Sequence, residues 1–244
     1  MSVKTTLISG GARGIGRCRA RRFLERGYKV YIFDIDEEEL THATRTHLKQ
    51  YYEKGMLQSS ICNLRDVQEI RDKVKVAAEF LGGRISVIVK NGGIASPRWS
   101  DGRSMDGFGT MDQWQVYMET NLTAPFAVSQ ACLPYMKPEE GKSALHIKDD
   151  NAGPCIIHIG SFRAHQSDPN QEGPYARHGH QPAEGDEKGT EWAALNEDKD
   201  VDDHPTNRAG RPKDIADAAE YLVNAGFVTG QDLTVDGGAT KKKA

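Results

Sequence analysis

The sequence predicts a doubly wound α/β domain with a mostly parallel sheet, and three observations carry that reading. Short, nearly continuous apolar runs alternate with segments of helical spacing through the first two thirds of the chain. A glycine-rich turn, "LISGGARGIG", joins the first apolar run to the first helical segment. The chain has 244 residues, 37% of them hydrophobic, which is enough for one sizeable core.

The expected strands are "TTLIS" (5–9), "KVYIF" (29–33), "MLQSSI" (56–61), "ISVIV" (85–89) and "CIIHIG" (155–160). Nearly continuous runs like the first, second, fourth and fifth suit parallel strands buried on both faces. Between them, Ala20, Phe23, Leu24 and Gly27 fall on one helical stripe, with Arg17, Arg21 and Glu25 outside it. Leu40, Ala43, His47, Leu48 and Tyr51 form a second stripe, and Val67, Ile70, Val74, Ala77 and Leu81 a third. A further amphipathic stretch, 112–136, contains Trp114, Met118, Leu122 and Phe126. Right-handed crossovers through such helices give a parallel sheet. The polar stretch 137–154 reads as a surface loop before the fifth strand.

Composition narrows the function. There are 32 basic and 35 acidic residues, a net charge of −3, which argues against nucleic acid or an anionic membrane as the main partner. Cys18, Cys62, Cys132 and Cys155 lack metal-type spacing and read as thiols in a reducing compartment. No apolar run approaches the ~20 residues that span a bilayer, and "MSVKTTLISGG" has no signal-peptide core. A cytoplasmic location is the expectation.

Gly10, Gly14 and Gly16 allow a tight turn and close approach to a pyrophosphate, and the helix that follows offers free N–H groups to that anion. Asp34 ends the second strand, 18 residues after Gly16, where a carboxylate accepts the ribose hydroxyls of adenosine and repels a 2′-phosphate. NAD is therefore expected over NADP, with Arg13 as the counter-argument. "SGGARGIG" resembles the Thr-Gly-x-x-x-Gly-x-Gly turn of the classical short-chain dehydrogenase/reductase family. Similar matches are "CNLRD", "VKNGGIAS", "TNLTAPF", "NRAGRPKDIADAAEYL" and "FVTGQDLTVDGG". In "VKNGGIAS" only Asn91 and Gly93 match the family's Asn-Asn-Ala-Gly, and Asn63 stands where the family usually has Asp. The resemblance covers roughly 1–175 and 205–240 and implies a Rossmann-type fold, a small-molecule alcohol or carbonyl substrate and a nicotinamide cofactor. It implies cofactor contacts at Gly10, Arg13, Gly14, Ile15, Gly16, Asp34, Asn63, Leu64, Asn91 and Gly93. "QDLTVDGG" looks like the last strand.

The family works with Ser, Tyr and Lys, plus a structural asparagine. A free phenol near pKa 10 is a poor base at neutral pH, and a nearby cation makes it a better one. The resemblance assigns Ser161 to polarise a carbonyl, Tyr175 to transfer a proton and Asn121 to hold the relay. The lysine is absent: Tyr-x-x-x-Lys has become Tyr175-Ala-Arg-His-Gly179. His178 would share a helical face with Tyr175, but Gly179 and Pro182 oppose a helix there. His178 and His180 lack a third ligand at metal spacing.

Residues 176–204 replace the helix and sixth strand that the family builds after its tyrosine. Of these 29 residues seven are apolar and twelve charged, so no run suits a strand buried on both faces. The segment reads as a polar, lid-like loop within a single domain of 1–244, with a short exposed helix around "EWAAL". The last strand then pairs with the fifth or stays loose. The family's dimer interface joins the 112–136 helix to the missing one, so a homo-oligomer stays open. Three readings follow: an oxidoreductase, a dinucleotide-binding module without catalysis, and a chain unable to fold stably.

Overall fold

The structure, a computed structural model, describes residues 3–94, 107–108, 110–136, 153–161 and 204–242. Five strands form one parallel sheet in the order β3-β2-β1-β4-β5: β1 Thr5–Ser9, β2 Lys29–Asp34, β3 Leu57–Ile61, β4 Val87–Lys90 and β5 Cys155–His158. The five expected strands thus form, with ends shifted by at most two residues. The order reverses between β1 and β4, and ligands of open α/β sheets bind outside the strand carboxyl ends at such a point.

Apolar side chains on both faces make three layers. Ile8, Val30, Ile32, Val87, Val89 and Ile157 pack under α1 (Gly14–Glu25) and a C-terminal helix, α7 (Pro212–Asn224). Leu7, Tyr31, Phe33 and Ile88 pack under α4 (Val67–Phe80) and α6 (Ala124–Cys132). Cys18, Cys62 and Cys132 are buried and unbridged, and burial pushes the Cys62 and Cys132 thiols up to about 12.

The helices depart from the sequence expectations in instructive ways. The stripe from Leu40 to Tyr51 is not one helix. It splits into α2 (Glu37–His42), a π turn (Ala43–His47) and α3 (Lys49–Glu53). The Thr44 hydroxyl donates back to the Leu40 carbonyl at 2.8 Å, a local bond that competes with regular helix geometry. The 112–136 stretch forms α5 (Thr110–Met118), a π turn (Glu119–Thr123) and α6, followed by a 3₁₀ turn (Leu133–Tyr135). Its buried side is Ala124, Ala127, Val128 and Cys132, while Leu122 and Phe126 are exposed.

Arg17 corrects the stripe drawn for α1, where it was placed outside. It is fully buried, donates to the Ala12 carbonyl at 3.4 Å and lies 4.0 Å from Glu39. Arg19 is buried as well. Helix α1 is covered by α7 on one flank and by the α2 segment on another, so a single apolar stripe underestimates its buried surface.

The strand expected at "QDLTVDGG" does not form. Residues 231–235 carry no strand ladder, Leu233 and Val235 are exposed, and among the described residues β5 pairs only with β4. Alternating apolar residues make a strand only when a neighbour accepts their hydrogen bonds. Downstream order is local: Asp236 accepts from the Gly238 and Thr240 amides and the Thr240 hydroxyl, starting α8 (Ala239–Lys242). Helix α7 is docked nevertheless. Pro212 suits its first turn, Asp214 accepts from the Arg211 amide at 2.8 Å, and Arg208 grips Asp214 through two bonds of 2.7 Å. Ala216, Ala219 and Val223 are buried, and Arg22 and Arg26 of the α1 end pair with Asp217 and Glu220.

Candidate functional site

The carboxyl edges of β1, β2 and β4 converge on the glycine turn. The Gly11 amide donates to the Phe33 carbonyl at 2.9 Å and the Ala12 amide to Asp34 Oδ2 at 3.1 Å, which ties the turn to β2. From β4, Asn91 Nδ2 donates to the Gly10 carbonyl at 2.9 Å. Ser9 Oγ accepts from the Asn91 and Gly92 amides at 3.2 and 3.1 Å.

Glycine is required at two points here. Gly10 has φ +64°, and a Cβ on it would lie 2.6 Å from Gly92 Cα. A Cβ on Gly16 would lie 1.8 Å from the Gly10 oxygen and 2.8 Å from Asn91 Nδ2. The turn therefore packs backbone on backbone.

Helix α1 opens without a side-chain cap and without an acidic residue in its first turn. Helices α2 and α4 start instead on Asp36 and Asp66, each of which accepts the amide three residues on. The first N–H groups of α1 are thus left to an external acceptor, and the dipole favours an anion. A diphosphate fits this donor set and this close-packed cradle.

Asp34 stands at the end of β2. Oδ1 accepts from the Ile35 and Asp36 amides at 2.9 and 3.3 Å, while Oδ2 holds Ala12. Burial raises its pKa above the ordinary carboxylate value, an effect partly offset by those N–H groups and by Arg13. Arg13 itself lies 3.8 Å from Asp36. Leu64 sits against the post-β4 loop, since a Cβ on Gly92 would meet its Cδ1 at 2.4 Å. Asn63 Oδ1 accepts from the Arg65 amide, and Arg65 pairs with Glu119 at 2.7 Å.

Asn121 lies in the π turn between α5 and α6. Its amide clamps the Ile94 backbone on both sides, accepting from Ile94 N and donating to Ile94 O, each at 2.9 Å. Gly93 faces it, because a Cβ there would stand 3.0 Å from Asn121 Oδ1. Ser161 follows β5 by three residues and is half-buried. Tyr175, Gly179 and the whole stretch 176–203 lie outside the described residues. Gly10, Gly16, Asp34, Leu64, Asn91, Gly93 and Asn121 are thus brought together around the β1 and β4 ends. Ile15 is half-buried in the first turn of α1, next to the buried Gly14. Ser9 and Lys90 were not singled out from sequence, although the serine in "LISGG" and the lysine in "VKNGG" were visible signals.

Residues 4–172 match the family model described as short chain dehydrogenase. The chain belongs to the short-chain dehydrogenase family. One curated relative, an uncharacterized oxidoreductase of Thermotoga maritima, is 30% identical over 98% of this chain and 96% of that protein. Another, a 3alpha-hydroxysteroid dehydrogenase of Mediterraneibacter gnavus, is 28% identical over 97% and 96%. Among solved structures, the Pseudomonas aeruginosa RhlG/NADP complex superposes with a TM-score of 0.74 at 23% identity, covering 98% of this chain and 97% of that one. An apo SCOR enzyme from Clostridium thermocellum gives 0.70 at 25% identity, covering 98% and 93%. The Rossmann-type sheet and flanking helices agree with these structures. Among the described residues no helix is long and apolar enough to cross a membrane, and no cluster of metal-ligating side chains occurs.

Proposed function

We propose that this short-chain dehydrogenase is an oxidoreductase using NAD(H) on the alcohol/carbonyl pair of a small molecule. The observation that carries the reading is the glycine turn tied to Asp34 and Asn91 beside the uncapped start of α1. The bound dinucleotide supplies or accepts the hydride. Gly10, Gly14, Ile15 and Gly16 line its diphosphate at α1. Asp34 accepts its adenosine ribose hydroxyls, with Asn63 and Leu64 beside the adenine and Asn91 and Gly93 along the β4 end. Asn121 fixes the loop that follows β4. Ser161, at the β5 end, polarises the substrate oxygen, and Tyr175 exchanges the proton. Replacing Tyr175 by Phe is expected to lower turnover at least a hundredfold while leaving NADH affinity within twofold. Equal turnover by the two proteins would contradict the role given to Tyr175.

The choice of NAD rests on Asp34. The RhlG complex, solved with NADP bound, pulls against this choice, although at 23% identity its likeness speaks for the fold alone. A carboxylate beside a 2′-phosphate costs more than 1 kcal/mol, roughly tenfold in affinity. NADH is therefore expected to bind about tenfold tighter than NADPH. Asp34→Asn keeps an acceptor for the Ala12 amide and removes the charge, so it should narrow that preference. A native preference for NADPH would overturn the assignment.

Gly179, standing where the family has lysine, favours a second reading: a dinucleotide-binding module without turnover. Saturable NADH binding with no turnover of any alcohol or carbonyl panel would select it.

A further inference from the structure

One basic side chain at the ligand-facing edge of the sheet has no role above. Lys90 is the last residue of β4, and the strand registers set it in a row with Ser9 of β1 and His158 of β5. Ile88, two residues earlier, packs in the core under α4 and α6, so strand alternation places Lys90 on that same face. Asn91, the next residue, donates to the Gly10 carbonyl, and Asn121 clamps the backbone of Ile94, four residues on. Lys90 is half-buried and forms no ion pair among the described residues. Glu119, the acid of the π turn that carries Asn121, is engaged by Arg65 and Gln115. Burial lowers the Lys90 pKa from its ordinary value, and His158 is held below the ordinary imidazole value by desolvation and by the Lys90 charge. The Lys90 ammonium thus disfavours a second positive charge on His158, and among the described residues no carboxylate pairs with Lys90.

Their place gives this charge a use. The diphosphate cradle lies at β1, and Asp34 on the β2 side takes the adenosine half. The other half of a dinucleotide then runs the opposite way, across the ends of β4 and β5. Lys90 and His158 stand there. A lysine carries three donors on a compact cation at the end of a four-carbon stem, long enough to reach past a strand terminus.

We propose that Lys90 holds the ribose of the nicotinamide half of the dinucleotide through its ammonium group. The proposal rests on the dinucleotide reading given above. It supplies a cation to this end of the site from a strand, although Gly179 stands where Tyr-x-x-x-Lys would put one.

Calorimetric titration of the full chain with NADH and with ADP, which lacks the nicotinamide ribose, separates the outcomes. Lys90→Met and Lys90→Gln are expected to weaken NADH binding at least tenfold and to leave ADP binding within twofold of the native protein. Two neutral variants guard against a folding defect in either one, checked by circular dichroism. Native NADH affinity in both variants would overturn the proposal and leave the dinucleotide reading standing. Equal loss of NADH and ADP would assign Lys90 a structural role and overturn it as well. Failure of the native chain to bind either ligand would overturn both.

Discussion

Gly16→Ala is expected to abolish measurable NADH binding. The added methyl would sit 1.8 Å from the Gly10 carbonyl oxygen, and that neighbour is backbone, which cannot rotate out of the way. Relief requires α1 to move from β1 or Gly10 to swing toward Gly92. The second path is closed, because Gly10 already approaches Gly92 too closely for a Cβ of its own. Either movement strains the Asn91 bond to the Gly10 carbonyl and the Ala12 bond to Asp34. Overpacking of this kind costs about 1–3 kcal/mol of stability. The loss in binding should be larger than that cost suggests, since the displaced backbone is the proposed diphosphate cradle itself. Titration of the folded variant with NADH, beside the native protein, checks it. Undiminished affinity would mean that the cofactor does not use this turn.

Arg19→Met is expected to stabilise the protein. Arg19 is 2% exposed, yet among the described residues only Nη2 has a partner, the Ile215 carbonyl of α7 at 3.0 Å. Its Nε and Nη1 have none. Desolvation accordingly drives its pKa down to about 9. A folded-state value below the unfolded one means that the cation opposes folding at all pH values below it, neutral pH included. Among the described residues no carboxylate pairs with it, and a buried charge without a counter-ion is costly. Methionine keeps the length and apolar stem while removing the charge. The gain should be about 1–4 kcal/mol by analogy with other buried-charge replacements, and on the order of several degrees in melting temperature. Arg22→Met is the control. Arg22 is partly exposed and pairs with Asp217 at 2.9 Å, so its loss should change stability by less than about 1 kcal/mol. A destabilised Arg19→Met protein would show that the guanidinium holds α1 to α7 through more than its single bond.

The strands were legible because burial on both faces leaves a local mark, a short run such as "TTLIS" or "KVYIF" with an apolar centre and no charge inside it. The glycine turn was legible because close backbone packing admits no side chain, which Gly16 shows most directly. Other features depended on partners far along the chain. Arg17 and Arg19 look solvent-facing in "GRCRARR", but α2 and α7 cover them. "DLTVD" alternates as a strand should, yet no neighbouring strand takes its hydrogen bonds among the described residues. Thr44 gave little warning that its hydroxyl would bond back to Leu40 beside a π turn. At the site, Asn121 clamps the backbone of Ile94, 27 residues away, a contact that only the fold reveals. Lys90 reads from sequence only as a departure from Asn-Asn-Ala-Gly, because its register with Ser9 and His158 is a property of the sheet.

The central claim is that the β1–α1 turn, Asp34 and the β4 end form a working dinucleotide site. A calorimetric titration of the native chain with NADH tests it most directly. Saturable one-to-one binding in the micromolar range, weaker for NADPH, is the expected result. Absence of binding by a chain that melts cooperatively would contradict it.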